Sequence, residues 1–234
     1  MPQRCGVRTT AYGAAALHRW WMDNTALTVD ARFWDGIAER YAAKPIENMP
    51  AYERKLELTR ARLQPTDTVL DFGCGTGSLA LTLSKHVSHV HGLDVSSEMV
   101  GIATRKAADA GVRNTTFHHG TLETRTFAPG TFDVVCAYNI LHLVKDLRET
   151  VQTLSRLLKP GGCFVASTVC LGESWVPYGA LIGAMRWFGK APRVFIFDRA
   201  EVVAEFQHAG LVEIEQPEVG AKKTTHFALA SKAA

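Results

Sequence analysis

The residues with the clearest chemical potential lie together in one decapeptide, Val69-Leu70-Asp71-Phe72-Gly73-Cys74-Gly75-Thr76-Gly77-Ser78. An apolar, strand-like run leads into three alternating glycines, and a helical pattern follows. Glycine lets the backbone turn sharply and lets a ligand approach it closely, while the start of the following helix offers free N–H groups. Spacing separates this loop from two others of similar composition. A dinucleotide fingerprint runs G-x-G-x-x-G, and here Ser78 stands where its third glycine would fall. A P-loop fails too, because no Gly-Lys-Ser/Thr follows. Seventeen residues past Gly77, Asp94 ends a second apolar run. A carboxylate at that strand end can accept hydrogen bonds from both hydroxyls of a ribose. Loop, strand end and spacing together point to an adenosine-containing ligand.

Such a site needs a scaffold that gathers the ends of several strands. Strand-like apolar runs occur at Thr68–Phe72, His89–Val95, Thr115–His119, Phe132–Tyr138 and Gly162–Thr168. Helical patterns separate them. Tyr52, Leu56, Thr59 and Leu63 share one stripe that Pro65 ends. Ser96 caps a helix with Met99, Ile102, Ala103 and Ala110 inward, stopping at Gly111, and a further helix covers Leu147–Leu158. Asp198 caps a helix to about Ala209, with Glu201 at its third position. The alternation predicts an α/β fold, a doubly wound and mostly parallel sheet. Leu211–Glu215 and His226–Ala230 form a C-terminal antiparallel hairpin. Residues 1–50 read as an N-terminal helical cap, 51–234 as the core, and 171–192 as an aromatic-rich insertion.

Composition bounds the rest. The chain has 234 residues, 47% of them hydrophobic, with mean hydropathy −0.02, which fits a globular core and excludes a disordered chain. The charge of +3, from 26 Lys+Arg against 23 Asp+Glu, is too mild for a nucleic-acid binder. The densest cluster, Arg54, Lys55, Arg60 and Arg62 with Glu53 and Glu57, reads as a solvated helix face. No apolar run reaches the roughly 18–20 residues of a membrane span. The short Ala11–Leu17 run, broken by Tyr12 and Gly13, does not make a secretory signal. Cys5, Cys74, Cys136, Cys163 and Cys170 show no C-x-x-C pair and read as buried free thiols of a reducing, cytoplasmic compartment. The histidines show no metal-binding spacing.

The sequence resembles the class I Rossmann-like S-adenosylmethionine-dependent methyltransferases, in particular their small-molecule branch. The resemblance rests on VLDFGCGTGSLAL (69–81), VHGLDVSSEMV (90–100), HHGTLE (118–123), FDVVCAYNILHLV (132–144) and LLKPGGCFV (157–165), in family order and spacing. It implies that Gly73, Gly75 and Gly77, with Cys74 and Thr76, pack against the methionyl part of S-adenosylmethionine. It also implies that Asp71 supports the ammonium group and that Asp94 takes the ribose hydroxyls. Val95 and Met99 would flank the adenine, with Asn139 also at the cofactor. Many members carry an Asp after the glycine of the third-strand motif; this chain has Thr121 after Gly120, leaving the backbone at Leu122 to meet the adenine amino group. Phe33–Tyr41 looks like the family's cap helix, with Tyr41 as the residue that closes over the cofactor.

The methyl acceptor belongs at the ends of the fourth and fifth strands. Methyl transfer from a sulfonium is an in-line displacement that depends mostly on positioning and exclusion of water. A general base is needed only for a protonated nucleophile. His142 is the candidate base, with a structural hydrogen bond as its alternative role. Tyr138, Trp175, Tyr178 and Trp187 are the expected acceptor walls, suited to a small, partly apolar molecule. Asn139 is followed by Ile140 and Leu141 rather than Pro-Pro-aromatic, which disfavours nucleobase and protein-amide acceptors. Two other readings stay open here: a nicotinamide-dependent oxidoreductase, and a non-catalytic S-adenosylmethionine-binding regulator. Oligomeric state is not legible.

Overall fold

The computed structural model describes residues 31–234. Cys5, the Ala11–Leu17 run and most of the expected 1–50 cap lie outside the described residues. Seven strands form one sheet in the order β3-β2-β1-β4-β5-β7-β6. They are β1 (Thr68–Phe72), β2 (His89–Asp94), β3 (Thr115–His119), β4 (Phe132–Tyr138), β5 (Leu158–Val169), β6 (Leu211–Glu215) and β7 (Thr225–Lys232). The first five run parallel, β7 runs antiparallel to β5, and β6 antiparallel to β7.

Side chains alternate across the pleat. Val69, Val134, Cys136 and Val165 face one side; Leu70, Val135, Phe164 and Ala166 face the other, and all are buried. Both faces are therefore covered, which is why these strands read as unbroken apolar runs. On the first side lie α2 (Met49–Arg60) and α3 (Ser78–Leu83), burying Leu56, Leu79, Ala80 and Leu83. On the second lie α5 (Leu147–Leu157) and α7 (Arg199–His208), burying Val151, Leu154, Val202 and Phe206. The α7 start carries the full capping box of Asp198 and Glu201. A helix over residues 31–43, α1, packs Ala38 on Met99 and Ile102 of α4 (Ser97–Asp109). Finally, α6 (Tyr178–Trp187) buries none of its residues. Four described cysteines are free thiols, with Cys74, Cys136 and Cys170 buried and Cys163 half-buried.

Strand β5 starts at Leu158, earlier than the expected Gly162, because Leu158 pairs with Phe132 before the register shifts ahead of Val134. Pro160-Gly161-Gly162 is thus an irregularity inside a strand and not a turn before one. The order reverses at β1, which has β2 on one side and β4 on the other. In an open α/β sheet the crevice outside the carboxyl ends at such a reversal is where ligands bind.

One residue of the supposed solvated face departs from expectation. Lys55 is 8% exposed, and its Nζ donates to Ser167 Oγ at 2.8 Å. Arg54 and Glu57 do stay at the surface, paired at 3.0 Å. Burial holds the Lys55 ammonium below its ordinary value of 10.5. The unfolded chain keeps that proton to higher pH than the folded chain does, so stability rises with pH through that window. Removing both partners together, Lys55→Met with Ser167→Ala, should therefore stabilise the protein at neutral pH, with the gain shrinking toward pH 10.5. Urea melts across pH check this; a variant less stable at neutral pH would contradict it.

Candidate functional site

The loop after β1 is held by its neighbour strand. Gly73 and Cys74 both donate backbone N–H groups to Leu93 O, at 2.8 and 3.1 Å, and Gly77 N–H closes the turn on Cys74 O at 3.0 Å. Asp94, at the end of β2, accepts from Gly75 N–H at 2.8 Å with Oδ2 and from Ser96 N–H at 2.9 Å with Oδ1. Two of the glycines are dictated by the protein itself. A Cβ on Gly73 would lie 2.6 Å from Ile140 Cγ1, and one on Gly77 2.8 Å from the Ala103 Cβ, both at positive φ. Gly75 is different. Its open side meets only the Tyr41 ring, at 3.9 Å. Tyr41 thus closes over Gly75 at about the distance of ordinary side-chain contact, on the crevice side of the loop. Cys74 is buried as a small filler against Gly92, and Thr76 is buried with Lys106 Nζ donating to its Oγ1 at 3.2 Å.

Asp71 explains how the helix after the loop can start on a glycine. Gly77 is the N-cap of α3 and has no side chain to cap with. The Asp71 carboxyl, reaching across from β1, accepts the Ala80 backbone N–H in its place. Its Oδ2 is buried without a hydrogen-bond partner among the described residues. Burial, and then the nearby charge of Asp94, push the Asp71 carboxyl up to about 7. Asp94 is also raised, chiefly by burial. Two carboxyl groups that each resist ionisation beside the other form a place suited to a cationic ligand, which would relieve both. A sulfonium and an ammonium fit that description, so the residues present suit S-adenosylmethionine.

Tyr41 reaches the loop because α1 is tied to α4. Asp35 Oδ1 accepts from Ser96 Oγ at 2.6 Å and from Glu98 N–H at 3.2 Å, and Arg105 pairs with Glu39 at 3.0 Å. The edge of Trp34 meets Tyr41 with ring centroids 6.1 Å apart. Tyr41 is 47% exposed, and its phenol is raised by burial and by the charge of Asp94. Met99 lies beneath α1 at 2% exposure, packed on Ala38 and Ile102, so its contact is with the helix above it. The Val95 carbonyl lies 3.2 Å from His119 Nε2. Gly120 N–H donates to the Asp94 carbonyl at 2.9 Å, which brings the loop after β3 beside Asp94. There Thr121 N–H is spent on Thr124 Oγ1 at 2.8 Å, while Leu122 packs on the core.

The acceptor side departs further from expectation. Asn139 adopts a left-handed backbone, φ 56°, with its N–H on Ser167 O at 2.6 Å. Tyr138, expected as an acceptor wall, turns its hydroxyl to α2, 2.7 Å from Thr59 Oγ1 and 3.3 Å from Lys55 O. It anchors α2 to β4. His142 sits in a short 3-10 turn after β4, its Nδ1 3.2 Å from Thr168 Oγ1 and 3.5 Å from Val169 N. Burial lowers it to about 4, so it is a neutral ring at physiological pH. With Nδ1 facing a backbone N–H donor, the remaining nitrogen carries the proton and is a donor in this tautomer. Trp175 and Trp187, expected to wall a pocket, are 94% and 87% exposed, and Tyr178 is half-buried. Within α6 only Tyr178 and Ile182 are half-buried, and the rest of the helix is exposed. Asp35 and Lys55 escaped the sequence reading: each sits among other charges, and nothing local marks it as the one that turns inward.

With this geometry in view, the comparisons with known proteins are specific. Residues 69–162 match the family model described as a methyltransferase domain. The chain is 32% identical over 167 residues to a ubiquinone biosynthesis O-methyltransferase of Pectobacterium carotovorum, covering 70% of this chain and 67% of that one. It is 34% identical over 110 residues to YcgJ of Bacillus subtilis, an uncharacterized methyltransferase, covering 47% of this chain and 44% of that one. The match therefore spans less than half of the YcgJ sequence. The crystal structure of YcgJ superposes with a TM-score of 0.65 at 21% identity, over 78% of this chain and 99% of that one. A Haemonchus contortus phosphoethanolamine N-methyltransferase solved with S-adenosyl-L-methionine gives 0.67 at 15% identity, over 78% of this chain and 53% of that one. Sheet order, glycine loop and these matches agree: the chain belongs to the class I S-adenosylmethionine-dependent methyltransferases. S-adenosylmethionine is the cofactor of that family, with S-adenosylhomocysteine as product.

The Asp71 carboxyl gives a test that needs no ligand. It keeps its proton to about pH 7 in the folded chain but only to about 3.8 when unfolded. Stability is greatest below the lower value and falls as pH rises toward the higher one. Asp71→Asn should thus raise stability at pH 8 by up to about 4 kcal/mol and change little near pH 4. Denaturant melts at both values measure it; an Asn variant destabilised at pH 8 would show that the buried carboxylate is satisfied after all.

Proposed function

We propose that this protein transfers the methyl group of S-adenosylmethionine to a small, partly apolar acceptor such as a quinone-like ring, a phenol, a thiol or a lipid precursor. The observation that carries the reading is the juxtaposition of Gly75, Asp94, the unpartnered Asp71 oxygen and Tyr41 at the sheet's reversal point. When bound, the cofactor supplies an electrophilic methyl on a sulfonium whose neutral thioether is a good leaving group. The chain's part is placement. Asp94 keeps lone pairs for the ribose hydroxyls beyond those spent on Gly75 and Ser96, and Asp71 Oδ2 faces the demand of the ammonium. Gly75, having no side chain, would let the methionyl chain approach the loop backbone closely. The loop from Val95, the Thr121–Leu122 backbone and Asn139 would hold the rest of the cofactor, Val95 and Leu122 at its adenine. Residues 31–50 act as a lid, in which Tyr41 covers the loop and keeps water from the sulfonium.

Acceptor chemistry is inferred from the relatives and from His142. A ubiquinone biosynthesis O-methyltransferase and a demethylmenaquinone methyltransferase are among the relatives, the second 35% identical over 124 residues. Both names imply flat, lipophilic acceptors. Neutral His142 presents its Nε2–H, so it orients an acceptor oxygen by a hydrogen bond and does not take its proton. It suits an acceptor that is oriented by a hydrogen bond and gives up its proton readily, as a phenol or hydroquinone does.

A panel of acceptors with methyl-labelled cofactor tests the reading. Labelled product is expected from phenolic or hydroquinone acceptors and not from nucleic acid or protein. Asp94→Ala should weaken cofactor binding by at least about 1–3 kcal/mol, because it removes the ribose acceptors together with the bonds that shape the loop at Gly75 and the start of α4 at Ser96. His142→Ala should lower turnover of a phenol and of its preformed anion alike, because what is lost is an orienting donor and not a base. Cofactor binding without transfer to any panel member would favour a non-catalytic binder, and NADH binding in place of S-adenosylmethionine would overturn the reading.

A further inference from the structure

Hydrophobic exposure on this molecule is concentrated. Among the described residues, Trp175, Leu181, Met185, Trp187, Phe188 and Ile196 are all exposed, the two tryptophans at 94% and 87%. They lie in one stretch of 22 residues that includes α6. A helix apolar on all sides is normally buried, yet α6 has no buried residue. Contiguous exposure of this kind marks an interaction surface.

Charge identifies the occupant. Between Ser174 and Phe197 the chain carries Arg186, Lys190 and Arg193 and no Asp or Glu. Elsewhere the two signs nearly balance, the whole chain having 26 basic and 23 acidic residues. A surface that pairs with this stretch must be apolar within and negative at its rim. A second copy of the same face does not qualify, because a two-fold contact would set the three cations against their own copies. An anionic phospholipid bilayer does. Its interface accommodates tryptophan and phenylalanine at headgroup depth, and its surface charge attracts arginine and lysine. With ten residues, α6 is about 15 Å long, half of the roughly 30 Å hydrocarbon core. It can lie in the interface but cannot span.

We infer that the α6 segment docks this protein on the surface of an anionic phospholipid bilayer. The segment is fastened to the body at the carboxyl end of β5. Gly172 N–H donates to Phe197 O at 3.0 Å, and Phe195 N–H donates to His142 O at 2.8 Å. A bilayer against α6 therefore lies beside His142 and the acceptor side of the crevice. This rests on the proposed acceptor class for its purpose, since a lipophilic acceptor dissolves in the bilayer, but not for its test. The tryptophans expected to hold the acceptor serve instead to hold the membrane from which it comes.

Vesicle flotation of the full chain, without cofactor or acceptor, tests the docking separately from methyl transfer. The protein should float with vesicles of phosphatidylcholine and phosphatidylglycerol at low salt, and much less with phosphatidylcholine alone or at high salt. The triple variants Trp175→Ser/Trp187→Ser/Phe188→Ser and Arg186→Glu/Lys190→Glu/Arg193→Glu should each bind at least about tenfold more weakly. Both should keep the parent's melting temperature to within a few degrees, because five of the six altered side chains are exposed and Arg193 is half-buried. No flotation of the parent, or equal flotation of parent and variants, overturns the proposal. So does a steep fall in the melting temperature of the serine variant, which would make the face part of the protein's own core. A serine variant that turns a dimer into a monomer, in a parent that ignores vesicles, would assign the face to a second copy instead.

Discussion

Asp94 is the joint on which the site depends. One carboxylate oxygen fixes Gly75 and so the shape of the loop after β1; the other fixes Ser96 and so the start of α4. Ser96 then reaches on to Asp35, which places α1 and brings Tyr41 over Gly75. The backbone carbonyl of the same residue holds Gly120 after β3. Loop, helix start, covering helix and third-strand turn are thus set relative to one another through one residue. Charge-assisted hydrogen bonds to backbone N–H groups are strong enough for that task.

The loop's other carboxyl works in the opposite sense. Asp71 supplies the cap that Gly77 cannot, but its Oδ2 is buried without a partner among the described residues. An unsatisfied buried acceptor is costly, and its proximity to Asp94 adds to that cost. Folding alone does not repay this arrangement, whereas a cationic ligand does. The fold itself therefore carries an electrostatic demand that matches the charge of the cofactor its family uses. On the acceptor side the demand is milder: His142 is neutral and already bonded, and nothing there calls for a charged molecule.

Much of this was legible in the chain because the signals are local. The bounds of β1, β3, β4 and β6 follow directly from apolar runs between turn residues, and Ser96, Asp198 and Glu201 announce their helices through capping chemistry. The glycine spacing and Asp94 located the crevice for the same reason. What was not legible depends on contacts between distant segments. Lys55 reads like its neighbours on α2, and only Ser167, on β5, decides that it is buried. Tyr138 ends a strand at the crevice, yet Thr59 claims its hydroxyl. Trp175 and Trp187 are large and apolar, so core or pocket is the natural reading; their exposure follows from α6 finding no partner on the sheet. Asp35 gave no sign at all, since its role exists only once α1 meets α4.

A cationic cofactor placed against Asp71 and Asp94 would ionise the former. Calorimetric titration of S-adenosylmethionine near pH 6.5, in two buffers of different ionisation enthalpy, reads this directly. Asp71, half-protonated near pH 7 in the free protein, should release most of a proton on binding, and the release should vanish in Asp71→Asn. Tight binding with no proton release, or the same release from the Asn variant, would contradict the account.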